Sequence, residues 1–150
     1  MTPSPADRTA DNTAVVPVTM LEQQFGEPDL VSLRQAVAAH SDNAGLTRAQ
    51  VYQLTLVAYE LATNAVRHGG GAGTLILWRS DGSVWCRVSD QGPGLPSDYQ
   101  LPHRPPEPGA VGGRGLWLAT QLSDALHIDN TTAGATLTAR VHIIARNGQT

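Results

Sequence analysis

One stretch of this chain is bracketed at both ends. Thr47-Arg48-Ala49-Gln50 puts a hydroxyl at an N-cap position and a Gln three residues on, the pattern of a capping box. Gly69-Gly70-Gly71 lies downstream, and three glycines are too costly in backbone entropy to stay inside a helix. Between the brackets, Val51, Leu54, Ala58, Leu61 and Ala65 form one apolar stripe at helical spacing. The spacing predicts a long helix ending near His68. Its apolar stripe has to be covered by a second layer.

The flanking segments supply that layer. Val15 to Met20 is rich in Val and reads as a first strand, with Pro17 favouring an edge position. Pro28-Asp29 introduces another helix, in which Leu30, Leu33 and Val37 share a face and Arg34 and Gln35 are left for solvent. It should end near Asn43-Ala44-Gly45, where Gly allows a left-handed cap. After the long helix, Thr74 to Arg79 and Ser83 to Ser89 flank Ser80-Asp81-Gly82, a hairpin signal. In the second of these strands Val84, Cys86 and Val88 share one face, and Ser83, Trp85 and Arg87 the other.

Leu95 to Val111 is rich in Pro and lacks periodicity, so a long exposed loop is expected. Gly112-Gly113-Arg114-Gly115 opens a helix from Leu116 to about Ser123. A strand near Ala125 to Asp129 follows. The last strand, Ala135 to Ile144, alternates Leu137, Ala139, Val141 and Ile143 with Thr138, Arg140 and His142. This order predicts an α+β fold, a two-layer α/β sandwich with a mixed, mostly antiparallel sheet and its helices on one face. Residues 1–13 are polar and read as a disordered tail; 14–146 read as one domain, in keeping with a length of 150 residues.

Composition narrows the chemistry. The net charge is -3, and no basic stripe of the kind that binds nucleic acid is visible, so no direct nucleic-acid partner is expected. Every basic side chain other than His is Arg. Without Lys there is neither a P-loop Lys nor a Schiff-base Lys. Cys86 is the single cysteine, which rules out an intrachain disulfide and suits a reducing compartment. The chain has no apolar run near the ~20 residues that span a bilayer, and its first residues do not form a signal sequence. A cytoplasmic protein with no membrane partner is the expectation.

Three constellations carry possible chemistry. Glu60, Asn64 and His68 fall at i, i+4 and i+8 on the long helix, a row that drifts by only about 80°. A carboxylate and an amide oxygen one turn apart suit a hard cation such as Mg²⁺, although a solvated polar face would look the same. Asp90-Gln91-Gly92-Pro93-Gly94 ends a strand. An Asp there accepts from an exocyclic amine while Gly lets a ligand near the backbone; the same residues also make an ordinary turn. Gly113-Arg114-Gly115-Leu116 opens a helix whose free N–H groups favour phosphate, and it also reads as a plain flexible loop. His68 at a helix end has two readings, a phosphate or metal neighbour and an ordinary residue near the C-terminal dipole. His40, His103, His127 and His142 show no ligand spacing, Cys86 reads as core, and Trp78, Trp85 and Trp117 are undecided between core and interface.

Taken together and in this order, the three motifs resemble the N, G1 and G2 boxes of the histidine-kinase-like ATPases. The likeness covers roughly Leu30 to Ile143. Within that superfamily the chain is most similar to stand-alone anti-sigma factor serine kinases, on Glu60-Leu61 before Asn64, Arg67-His68-Gly69 after it, and Gly113-Arg-Gly115-Leu-Trp-Leu running into Gln121-Leu-Ser-Asp124. The resemblance implies an ATP pocket. Asn64 would coordinate Mg²⁺ and Asp90 would read the adenine amine. Gly92, Gly94, Gly113, Arg114, Gly115 and Leu116 would flank the nucleotide, with Leu95 to Val111 as a lid.

Glu60 would act as general base on a Ser or Thr hydroxyl of a protein substrate. Gly134-Ala135-Thr136 stands where the family often has Gly-Thr, which brings Gly134 and Thr136 into the expected site. Alternation nevertheless puts Ala135 inward with Leu137 and Ala139, and Thr136 outward. The implied function is a serine/threonine protein kinase that phosphorylates an anti-anti-sigma antagonist and sequesters a sigma factor, with a homodimer as one form. Two alternatives stay open. One is an ATP-responsive regulator that holds a partner without phosphorylating it. The other, ranked low, is the catalytic part of a two-component histidine kinase.

Overall fold

The computed structural model describes residues 16–95, 100–102, 104–108, 114–131 and 133–144. The tail expected over 1–13, the ends of the 14–146 span, His103, Gly112, Gly113 and part of the Leu95 to Val111 loop lie outside them.

The long helix, α2, runs Arg48–His68. Thr47 caps it: its hydroxyl accepts from Gln50 N at 3.1 Å, and Gln50 Oε1 accepts from Thr47 N at 3.2 Å. Leu54, Ala58, Leu61 and Ala65 of the stripe are buried, joined by Val57 and Ala62. Helix α1, Leu30–Asn43, packs on α2 and on the first strand, burying Leu33 and Val37. A 3-10 turn, Glu27–Asp29, leads into it, and Asp29 Oδ2 accepts from Gly26 N at 2.9 Å. Helix α3, Arg114–Leu122, packs on the other flank of α2 and begins two residues earlier than its pattern predicts.

The sheet under these helices is β1 (Val18–Gly26), β2 (Ala72–Ser80), β3 (Ser83–Ser89), β4 (Ala125–Thr131) and β5 (Gly134–His142), in the order β1-β2-β3-β5-β4. Each of the four pairings is antiparallel, so the mixed sheet expected from sequence is antiparallel throughout these pairs. The reason is topological. The α3 crossover leaves β3 and β4 pointing the same way, but β5 folds back between them and separates the two strands that would have paired in parallel. Leu75, Leu77, Val84, Cys86, Val88, Ala135, Leu137, Ala139 and Val141 share one core with the helices. Cys86 is buried there, and burial pushes its thiol up to about 12.

Two features depart from the sequence pattern. β1 occupies 18–26 instead of the Val-rich 15–20, although its edge position agrees with Pro17. Glu22, Gln23 and Gln24 are weak strand formers, but pairing with β2 overrides that preference, and a bulge between Thr19 and Leu21 interrupts the alternation. The second departure is on the sheet face away from the core. Trp78 and Trp85 are cross-strand partners that stack with centroids 5.8 Å apart and planes 3° apart. The Arg87 guanidinium lies 5.1 Å from the Trp78 ring centre and that of Arg140 5.8 Å from the Trp85 ring centre. The face that carries Ser83, Trp85 and Arg87 is thus closed by an aromatic pair under two cations. No helix among the described residues is long and apolar enough to cross a membrane.

Gln50 links α2 to the end of the sheet as well as to its own cap. Nε2 donates to the His142 carbonyl at 2.5 Å, and Oε1 also accepts from Ile144 N at 3.3 Å. Gln50→Ala should lower the unfolding free energy by about 1–3 kcal/mol in urea titrations. Gln50→Glu keeps a capping-box side chain but turns a carboxylate oxygen toward the His142 carbonyl. It should be destabilised as well at neutral pH. A Glu variant as stable as the parent would mean that the link to the last strand contributes nothing.

Candidate functional site

The polar row of α2 borders the buried stripe. Glu60 and Asn64 are both part-buried, and Arg67 and His68 are exposed in the last turn. The helix phase fixed by the core therefore leaves the carboxylate and the amide at the margin of the helical layer. Burial raises the Glu60 carboxyl above its ordinary 4.5, and the Arg67 guanidinium opposes that rise.

The start of α3 meets Glu60. A Cβ added to Gly115 would strike Glu60 Oε1, so the glycine leaves room for the carboxylate at the helix N-terminus as it stands. Arg114 is exposed beside it. The backbone N–H groups of the first turn of α3, those of Gly115 and Leu116 among them, are of the kind that an α-helix leaves free for an anion. The Leu116 side chain faces the hydrophobic core and is buried, so its backbone is the part left to meet a nucleotide.

Asp90 sits where β3 leaves the ladder. Its N–H donates to the Ala135 carbonyl at 3.0 Å. Its Oδ1 accepts from Gly92 N at 3.0 Å and from Ala135 N at 3.3 Å. The carboxylate is thus aimed by backbone donors from its own loop and from β5. It also lies against Gly69, just past the end of α2, where any Cβ would overlap it. Gly92 backs onto Gly69 and Gly70, and a Cβ on Gly134 would run into the Asp90 carbonyl. Gly94 takes a positive φ of 80°. Thr136 is on the other sheet face, where its hydroxyl donates to Ser89 Oγ at 3.3 Å, and Ala135 is buried inward. The hydroxyl of Thr136 therefore does not join the Asp90 side of the sheet.

The expected site residues fall into two adjoining groups. In one, Glu60 meets Gly115 at the start of α3, with Asn64 one turn further along α2; the other joins Asp90, Gly92, Gly134 and the turn after α2. Gly113 lies outside the described residues. The Asn64 amide oxygen fits a hard cation that takes its remaining ligands from phosphate and water, and leaves the Glu60 carboxylate free beside it. Asp90, held by two N–H donors and flanked by glycines, fits a ligand amine brought close to backbone. A hollow of about 670 Å³ lies alongside, lined by Gln24, Phe25, Asp29, Thr74, Ser89 and Asp90 among others. Its lining includes Asp90, Gly69 and Gly70 but neither Glu60 nor Asn64, so it adjoins the Asp90 side of the expected site.

Sequence reasoning missed two contributors. Gly69 looked like a helix stop and is also the surface on which Asp90 rests. Asn130 was not singled out, yet its side chain binds the loop that follows Asp90. An Asn within a strand pattern is uncommon, and that was the available signal.

The sequence matches the histidine kinase-like ATPase domain family over residues 27–141. A comparison with curated protein sequences finds no match. Among solved structures, the chain is similar to the RsbU and RsbW domains of Rv1364c from Mycobacterium tuberculosis, with a TM-score of 0.60 and 17% identity over 84% of this chain. It spans 33% of that longer chain. It is also similar to the histidine kinase AdeS of Acinetobacter baumannii, with a TM-score of 0.52 and 15% identity over 83% of this chain and 68% of the other. At these identities the two structures speak for the fold. The family match spans most of the chain, includes all three motifs and coincides with the observed sheet and helices: the protein belongs to the histidine kinase-like ATPase domain family.

Proposed function

We propose that this protein is an ATP-binding, anti-sigma-factor-like serine/threonine protein kinase that works with Mg²⁺ in the cytoplasm. Its partners would be a sigma factor, which it sequesters, and an anti-anti-sigma antagonist, which it phosphorylates. The observation that carries this reading is the contact between Glu60 and Gly115. It sets a carboxylate at the N-terminal turn of α3, where phosphate oxygens are favoured, one helical turn from Asn64. A base is then within reach of the place where a phosphoryl group would be transferred.

The roles assigned are those that the family resemblance implies, and the placement of the residues is compatible with them. Asn64 would offer an oxygen to Mg²⁺, and Asp90 would accept from the adenine amine. Arg114, Gly115 and the first turn of α3 would hold the phosphates, while Gly92, Gly94 and Gly134, which pack closely around the Asp90 loop, would flank the nucleotide. ATP, when bound, supplies the phosphoryl group. Glu60 would take the proton of the attacking Ser or Thr hydroxyl onto its carboxylate, and burial, by raising that carboxyl above its ordinary value, would make it a stronger proton acceptor. A second reading, an ATP-responsive partner-binding regulator without transfer, is favoured by one observation. Ala135 stands inward where a hydroxyl would complete the Asp90 site, and Thr136 points away.

Calorimetry with ATP and Mg²⁺ tests the pocket. Asp90→Asn should bind ATP about ten- to hundredfold more weakly, the loss of a hydrogen bond to a charged group. Unchanged affinity would remove Asp90 from adenine recognition.

Phosphate incorporation into a co-purified antagonist separates the two readings. Glu60→Gln should abolish incorporation while leaving ATP affinity within about threefold of the parent, since its task is proton transfer. Transfer that survives in Glu60→Gln would sink the base assignment. No transfer by the parent would leave the regulator reading.

The same residue predicts a stability change. The folded-state value lies above the unfolded one, so the native state binds more protons, and stability falls as pH rises through that interval, from about 4.5 up to the raised value. Glu60→Gln should therefore melt higher than the parent at pH 7 and no higher at pH 3. A variant that melts lower at pH 7 would contradict the burial penalty.

A further inference from the structure

Strand β4 forms the sheet edge beyond β5, and Asn130 near its end is the register partner of Ala135. The Asn130 side chain does not turn to solvent. Its Oδ1 accepts from Leu95 N at 2.7 Å and its Nδ2 donates to the Leu95 carbonyl at 2.6 Å. A side-chain amide carries the same donor and acceptor as a peptide, so Asn130 pairs with Leu95 as a neighbouring strand would. The Leu95 side chain packs on the core. A Cβ on Gly94 would strike the Thr131 carbonyl, so the loop is pressed against the end of β4.

The other end of the same loop is Asp90, bound in both directions to the backbone of Ala135. A single rung of the sheet, Asn130 with Ala135, therefore grips both ends of the six-residue loop Asp90 to Leu95. One end is held by main chain and the other by a side chain. We propose that Asn130 is a positioning residue for nucleotide recognition: by fixing Leu95 it fixes the course of the loop whose first residue reads the base. The inference rests on the ATP-binding reading and on the adenine role of Asp90. Asn130 itself need touch no nucleotide. Its effect should fall on discrimination, because a loop released at Leu95 lets Gly92 and the Asp90 carboxylate drift together.

The test compares the parent protein with Asn130→Ala and with Ile128→Ala, a residue of the same strand that packs on the core outside the site. Dissociation constants for Mg²⁺-ATP and Mg²⁺-GTP are measured by calorimetry, with thermal melting and amide hydrogen exchange at Leu95 alongside. Asn130→Ala should weaken ATP binding about tenfold, in line with two lost hydrogen bonds, leave GTP binding nearly unchanged, and speed exchange at Leu95. Ile128→Ala should lower the melting temperature while keeping the ATP-to-GTP preference. A preference unchanged in Asn130→Ala, or reduced equally in Ile128→Ala, overturns the proposal while ATP binding by the parent stands. A parent that binds neither nucleotide overturns both the ATP-binding reading and this inference.

Discussion

The rotational setting of α2 is the constraint on which the rest of the molecule depends. Leu54, Val57, Ala58, Leu61, Ala62 and Ala65 are all fully or nearly fully buried. Rolling the helix by one residue would bring polar groups into the core and leave several apolar side chains in water, at roughly 1.5–3 kcal/mol for each. With that phase fixed, Glu60 and Asn64 can only lie at the margin of the layer. The site is thus a by-product of core packing: the same periodicity that buries one face presents the other.

Close approach is the second theme. Where the elements meet around the site, a Cβ is missing on one side. Gly115 lets the first turn of α3 reach Glu60, Gly69 lets Asp90 rest on the end of α2, and Gly134 clears the Asp90 carbonyl. The Asp90 carboxylate is oriented by the amides of Gly92 and Ala135, and no side chain is required for that. Backbone donors are held by the sheet itself, so they lose little freedom on binding. This way of fixing a carboxylate also tolerates Ala at position 135, because the contribution there is an N–H.

The sequence carried much of this in legible form. Capping at Thr47, the stop at Gly69, the hairpin over Ser80-Asp81-Gly82 and the outward turn of Thr136 are all local consequences of residue type and periodicity, and each stands in the structure. What was misread depended on distant partners. β1 begins three residues later than its Val-rich pattern and extends through Glu22 to Gln24, because β2 offers it a ladder. The Leu116 side chain turns into the core because α3 starts at Arg114 and its face is set by α2. The Trp78 and Trp85 stack was undecidable from sequence, since only the β2–β3 register sets the two rings opposite one another.

By itself, then, the sequence determined where helices begin and end, which face of each is apolar, and that three polar and Gly-rich motifs occur in one order on the elements their chemistry needs. Those properties depend on neighbours within about four residues, at a distance set by helix pitch and strand pleat. Only the tertiary structure decided that β5 lies between β3 and β4, that Ala135 holds Asp90, and that Asn130 closes on Leu95. These contacts join residues 35 to 45 positions apart. Their geometry follows from strand order and register, which are set by how the whole apolar surface is buried at once, and no local pattern along the chain records that choice.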